Sequence, residues 1–83
     1  MTITEQLDAL VLNNEEIVGW SVVRVKRGYY CSVWGTNGTR GSDIAPTLPE
    51  AAEQATLKAM AAMHEGESAR VEVKVYEFFQ NKG

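Results

Sequence analysis

His64 and Cys31 are the single histidine and the single cysteine of the chain, and they are the obvious pair for nucleophilic chemistry. Such a pair works when the two groups lie within hydrogen-bond reach and a third group orients the base. Here they are distant in sequence, fall on different expected elements, and have no evident third group. His64 stands near the end of an expected helix, where an imidazole complements the helix dipole. Cys31 lies inside an apolar, strand-like run and reads as a small buried thiol in a reducing compartment. A zinc site needs about four ligands at close spacing, and no CxxC or HxxxH pattern is present. No catalytic residue, metal or cofactor is therefore assigned, and an enzyme is not expected.

Three other groupings bear on binding. The stretch Gly35–Ser42 is the one glycine-rich segment, and such turns expose backbone amides to phosphates when they open a helix. No lysine follows at the required place and Pro46 intervenes, so the segment reads as a mobile hairpin-to-helix connection turning at Asn37-Gly38, with Arg40 as a contact residue near its tip. The segment from Ala69 to Gln80 alternates clearly, and one side would carry Arg70, Lys74, Tyr76 and Phe78. With Arg24 and Lys26 on a neighbouring strand, these would form a basic and aromatic face of the kind on which RNA-binding modules stack bases. Leu57 is the third grouping. On a helical wheel it stands opposite an alanine stripe, among Glu50, Glu53, Ala61 and His64, with Met60 nearby. That is a small apolar anchor with an acidic rim, suited to a basic partner or a second copy of the chain.

The elements that must position these residues follow from periodicity and capping. Thr2 and Glu5 have capping-box spacing, and Ile3, Leu7, Leu10 and Val11 recur at helical spacing, so 3–12 reads as a short amphipathic helix. Ile17 to Lys26 is rich in β-branched residues with apolar groups on both faces, as suits a central strand. Lys26, Arg27 and Gly28 reverse the chain into a second strand over 29–36, with Tyr30 and Trp34 on one face and Tyr29, Cys31 and Val33 on the other. Thr47 and Glu50 form a second capping-box pair with Pro49 in the first turn, opening a helix from about Leu48 to His64 that ends at Gly66. Leu48, Ala51, Ala52, Ala55, Ala59, Ala62 and Met63 share one face of it, so its backbone should lie close against a sheet. The third strand is expected over 69–80.

The expected fold class is α+β. A short N-terminal helix precedes a ββαβ unit, whose three-stranded antiparallel sheet has the order 2-1-3 and is covered on one face by the alanine-rich helix. Eighty-three residues suffice for one domain, 1–83, and are too few for two. The hydrophobic fraction of 45% is that of a globular chain. The net charge of −3 is unevenly spread. Residues 1–16 and 42–67 are acidic, whereas 17–41, with Arg24, Lys26, Arg27 and Arg40, are purely basic, so the expected helices are acidic and the strands basic. The start of the chain shows no secretory pattern and no apolar run approaches a membrane span, which leads to an expected cytoplasmic location without membrane partners.

Gly28-Tyr-Tyr-Cys-Ser-Val through Thr47-Leu-Pro-Glu-Ala-Ala-Glu-Gln-Ala resembles HicB-type antitoxin domains, in which a glycine-led strand is followed by a loop and a helix opening on Thr-x-x-Glu-Ala. That likeness implies an RNA-related function. In size, charge and layout, over Tyr29 to Val75 with Ala51, Ala52, Ala55, Ala59, Ala61 and Ala62 in the helix, the chain is also similar to small phage-encoded inhibitors of bacterial defence, anti-CRISPR proteins among them. This second likeness implies a protein that occludes a nucleic-acid-binding surface of a larger host protein or complex, acting in the host cytoplasm. The contact residues expected for that reading are Asp43, Glu50, Glu53, Leu57 and Arg40. The alternative is a nucleic-acid-binding or antitoxin-like module using Arg24, Lys26, Arg70, Lys74, Tyr76 and Phe78. A homodimer is the expected assembly in either case, since an open sheet face and an unpaired edge need cover in so small a domain.

Overall fold

The capping box at the N-terminus forms as its spacing requires. In the computed structural model, which describes residues 2–80, the Thr2 hydroxyl accepts from the Glu5 amide, and the Glu5 carboxylate accepts from the Thr2 amide at 2.7 Å. It opens α1, Ile3–Asn13, whose Leu7 and Leu10 are buried. Three strands follow: β1 is Ile17–Val25, β2 is Gly28–Gly35 and β3 is Arg40–Ala45. Thr47 then caps α2, Leu48–Met63, by accepting from the Glu50 amide, with Pro49 in the first turn. Gly66 lies beyond the end of α2 in the left-handed region, and α3, Ser68–Gln80, completes the described chain.

The class is α+β, but two of the expected elements differ. The sheet is antiparallel in the order β1-β2-β3, so β2 is central and β1 is an edge, rather than the order 2-1-3. Its third strand comes from the glycine-rich stretch, which is a hairpin turning at Asn37-Gly38, with Gly38 at φ +82°, and not a connection to the helix. The segment 69–80 is a helix and not a strand. Its residues Val71, Val75 and Phe79, four apart, are buried, while Val73, which alternation would bury with them, is 56% exposed. The packing available decided the outcome: with β3 in place on β2, an amphipathic helix could bury its stripe against α2 without needing a sheet edge.

Register assigns the two sheet faces. Val33 stands opposite Trp20 and Gly41, and Cys31 opposite Val22 and Asp43. This is the face against which α2 packs. At Gly41 a Cβ would lie 2.3 Å from the Ala55 carbonyl oxygen and 2.3 Å from the Ala59 amide nitrogen, so the backbones of β3 and α2 are nearly in contact. Only Gly in the strand and Ala in the helix permit that approach, which is what the alanine stripe is for. Ala51, Ala52, Ala55 and Ala59 are fully buried there, with Cys31, Val33 and Leu7, in one core cluster. The expected stripe is also trimmed at its C-terminal end, since Ala62 is exposed.

The helices α1 and α3 join the same layer. Trp20 donates its indole N–H to Asp8 on α1 at 3.1 Å, and Gln6 on α1 donates to the Phe79 carbonyl of α3 at 3.4 Å. The described residues therefore form two layers, three helices on one side and the sheet on the other, and among them no helix lies over the opposite face of the sheet.

Candidate functional site

Two surfaces stand out once these elements are placed. The first is the uncovered sheet face. Across its three strands run the rows Val23–Tyr30–Ile44, Ser21–Ser32–Ser42 and Gly19–Trp34–Arg40. Val23 and Ile44 are 53% and 56% exposed, Tyr30 between them is half-buried, and Trp34, also half-buried, stands two rows away between Gly19 and Arg40. Neighbouring strands are about 4.8 Å apart, so Val23, Tyr30 and Ile44 form one continuous patch, and the serine row separates it from Trp34. The Trp34 indole leans across Gly19, where a Cβ would come within 2.7 Å of the ring. From the other side, the Arg40 guanidinium sits 5.9 Å from the Trp34 ring and donates to the Ser32 hydroxyl at 3.4 Å. Ser32 and Ser42 share a hydrogen bond at 2.9 Å. Hydrogen bonding with Ser42 and then Ser32 holds the Tyr30 phenol below the usual tyrosine range. The face is thus a flat platform of two aromatics and two aliphatics, with its polar groups tied to one another.

The second surface is a groove of about 390 Å³ between α2, α3 and the end of α1. Its walls include Leu10, Met60, Val71, Val75 and Phe78. At one end His64, the cap of α2, pairs its Nε2 with a Glu16 carboxylate oxygen at 2.7 Å. Glu67 and Arg70 form a longer, exposed pair at 3.4 Å. Thr56 also lines the groove; it is 1% exposed, and its hydroxyl has no hydrogen-bond partner among the described residues.

The structure separates the residues expected to act together. Of the five expected protein-contact residues, Glu50, Glu53 and Leu57 follow one outward stripe of α2, with Leu57 half-buried and packed on the core. Asp43 is occupied by an ion pair with Lys58 at 3.1 Å. Arg40 lies on the uncovered sheet face, the sheet standing between it and α2. The expected basic and aromatic face likewise does not assemble, because it required 69–80 to be a strand. Arg70, Lys74 and Phe78 line the groove instead, Tyr76 is 58% exposed, Arg24 stacks over Tyr29 at 4.8 Å, and Lys26 sits in the turn between β1 and β2. His64 and Cys31 do not meet: His64 is held by Glu16, and Cys31 is buried in the core.

Sequence reasoning placed Tyr30 and Trp34 together on one face of β2 but gave no sign that the face is bare. It passed over Thr56, whose signal is a β-branched hydroxyl beside the alanine stripe. Among the described residues no group of three or more His, Cys, Asp or Glu side chains is arranged to hold a metal ion, and no helix is long and apolar enough to cross a membrane. Comparisons with protein-family models, with curated proteins and with solved structures gave no match.

Proposed function

We propose that this chain is a non-catalytic binding domain that docks on a larger protein through the bare face of its sheet. The observation that carries the reading is the row Val23–Tyr30–Ile44, aromatic and aliphatic side chains contiguous across three strands, with Trp34 farther along the same face beyond the serine row and no element over them among the described residues. A contiguous exposed apolar patch rimmed by polar groups marks an interaction site, and aromatics and arginine are the usual anchors of protein interfaces. Arg40 is the one charged side chain in these rows. A nucleic-acid platform neutralises several phosphates, so one arginine favours a protein partner.

The finer reading is an inhibitor that covers a nucleic-acid-binding surface of a host defence complex, in the manner of the phage-encoded proteins it is similar to. The acidic balance of the chain and its outward stripe of Glu50 and Glu53 on α2 support it, because carboxylates projecting from a docked domain repel nucleic acid from the covered site.

The test is capture of the partner by the full chain and two double variants. Tyr30→Ala with Ile44→Asp is expected to abolish capture while leaving the far-ultraviolet spectrum intact. Glu53→Lys with Leu57→Ala on α2 is expected to retain it. The reverse pattern would move the interface to α2, and recovery of nucleic acid that is released at high salt would overturn the reading. Light scattering on the free chain shows whether the face is instead covered by a second copy.

A further inference from the structure

We infer that the chain forms a two-fold symmetric dimer in which the free edge of β1 pairs antiparallel with the same edge of a second copy. The inference is independent of the docking surface, because it uses an edge of the sheet and leaves the bare face open. The direction of the backbone groups comes first. The Gly35 amide donates to the Thr39 carbonyl at 2.8 Å, and the Thr36 amide donates to the Glu16 carbonyl at 3.1 Å. Backbone groups alternate sides along a strand, so odd-numbered residues of β2 bond toward β3 and even-numbered ones toward β1. Trp34 is paired with Gly19, Ser32 with Ser21 and Tyr30 with Val23. The amides and carbonyls of Trp20, Val22 and Arg24 are thereby turned away from the sheet. No other strand pairs with β1, and none of these groups enters another backbone hydrogen bond among the described residues.

The opposite edge of the sheet is guarded. On β3 the Ser42 carbonyl, outward by the same alternation, accepts from Lys58 at 3.4 Å, and Lys58 also pairs with Asp43. Lysine on an edge is a common device against strand addition. The strand β1 carries no Lys and no Pro, its bulge is confined to its first residues, and Val18 and Val23 are exposed on it. Nine residues left in this way are a template for another strand.

Charge selects the occupant. Glu15 and Glu16 precede β1, whereas Arg24, Lys26 and Arg27 lie at its far end. A two-fold axis at Ser21, the middle of the strand, sets Trp20 against Val22 of the second copy and Arg24 against its Val18. The same axis brings Lys26 and Arg27 to Glu16 and Glu15 of the second copy. Glu15, Lys26 and Arg27 are exposed and make no salt bridge among the described residues. Parallel pairing would set like charges side by side. On the bare face, Val23 comes opposite Gly19 of the second copy, over which the Trp34 indole leans. The dimer thus joins, across its axis, apolar groups that the serine row separates within one chain.

The experiment is light scattering on the full chain over a dilution series from about 100 µM, repeated with variants. A mass of two chains is expected at the top of the series. Val22→Pro removes an outward amide without taking a bond from the β1–β2 ladder, and is expected to give a monomer with the far-ultraviolet spectrum of the parent. Arg27→Glu, in the exposed turn, is expected to weaken the dimer about threefold to tenfold, and adding Glu15→Arg is expected to restore it. That pair decides the matter if Val22→Pro unfolds the chain. Tyr30→Ala with Ile44→Asp is expected to leave the dimer intact, which separates the edge from the bare face, and partner capture through that face stands or falls on its own. A monomer at about 100 µM would overturn the proposal. So would a folded Val22→Pro dimer, a dimer lost through the bare-face variant, or a weakening by Arg27→Glu that Glu15→Arg does not reverse.

Discussion

Burial pushes the Cys31 thiol up from an ordinary 9.0 to about 11, because the thiolate would have to form in the core beneath α2. A raised folded-state value means that the folded protein favours the protonated form. The stability this contributes is fully present below pH 9 and is lost as the pH rises toward 11. Cys31 should therefore resist thiol reagents at pH 8 in the native protein and react promptly in denaturant. Rapid native labelling would show that the core opens. Gly41 makes a second argument at the same scale. A methyl group there collides with the backbone of α2 at both Ala55 and Ala59, where no flexible side-chain end can yield. Gly41→Ala is expected to cost at least about 2–3 kcal/mol by overpacking, read as a fall in urea midpoint. Ala55→Leu should cost a similar amount, since its side chain is fully buried at the same crossing.

Among the elements, α3 is the informative one. Val71-Glu-Val-Lys-Val carries a strand-like alternation and a β-branched composition, both real local preferences for β structure. The same stretch also holds Val71, Val75 and Phe79 at helical spacing, with Phe78 beside them. Two periods are superposed, and the position that distinguishes them is Val73. As a helix, α3 leaves Val73 exposed and buries Val75. Val75→Ala is expected to cost about 2 kcal/mol, or roughly 10 °C in thermal midpoint for a domain of this size. Val73→Ala should be neutral within about 0.5 kcal/mol, since alanine is the better helix former. Equal losses at both positions would mean that the alternation, and hence a strand, governs the segment.

The same comparison shows what could be read in the sequence beforehand. Both N-caps, the first hairpin and the alanine face of α2 were legible, because each rests on short-range chemistry: a hydroxyl three residues before a glutamate, a glycine reversal, a period of 3.6. The strand Arg40–Ala45 was not. Arg-Gly-Ser-Asp-Ile-Ala has one β-branched residue, and β2 recruits it by hydrogen bonding, not by its own preference. Its one signal was Asn37-Gly38, the strongest short hairpin turn, in a stretch whose glycines suggested a loop. With that strand unrecognised, the sheet needed a third member and 69–80 was the only apolar alternative. The bare face of Tyr30, Trp34 and Ile44 could not be seen until the sheet order was known.

At the scale of the whole molecule the charges are layered. Carboxylates are concentrated on α1, α2 and the segments around them, whereas the rows of the bare sheet face carry Arg40 alone. The side that meets a partner therefore decides how binding responds to salt. An interface made by Glu50 and Glu53 against a basic cleft would gain attraction over a Debye length of about 10 Å at 0.1 M salt, and would lose affinity and association rate steeply as salt rises. An interface made by Val23, Tyr30, Trp34 and Ile44 draws on desolvation of apolar area, which salt leaves nearly unchanged. Affinity for the captured partner is accordingly expected to change by less than about threefold between 50 and 500 mM salt. Arg40→Gln should remove most of the residual dependence, while Glu53→Lys should alter the association rate more than the dissociation rate, because its charge acts from outside the contact. A loss of tenfold or more over that range would place the acidic helix against the partner, and the sheet face would then be free for a second copy of the chain.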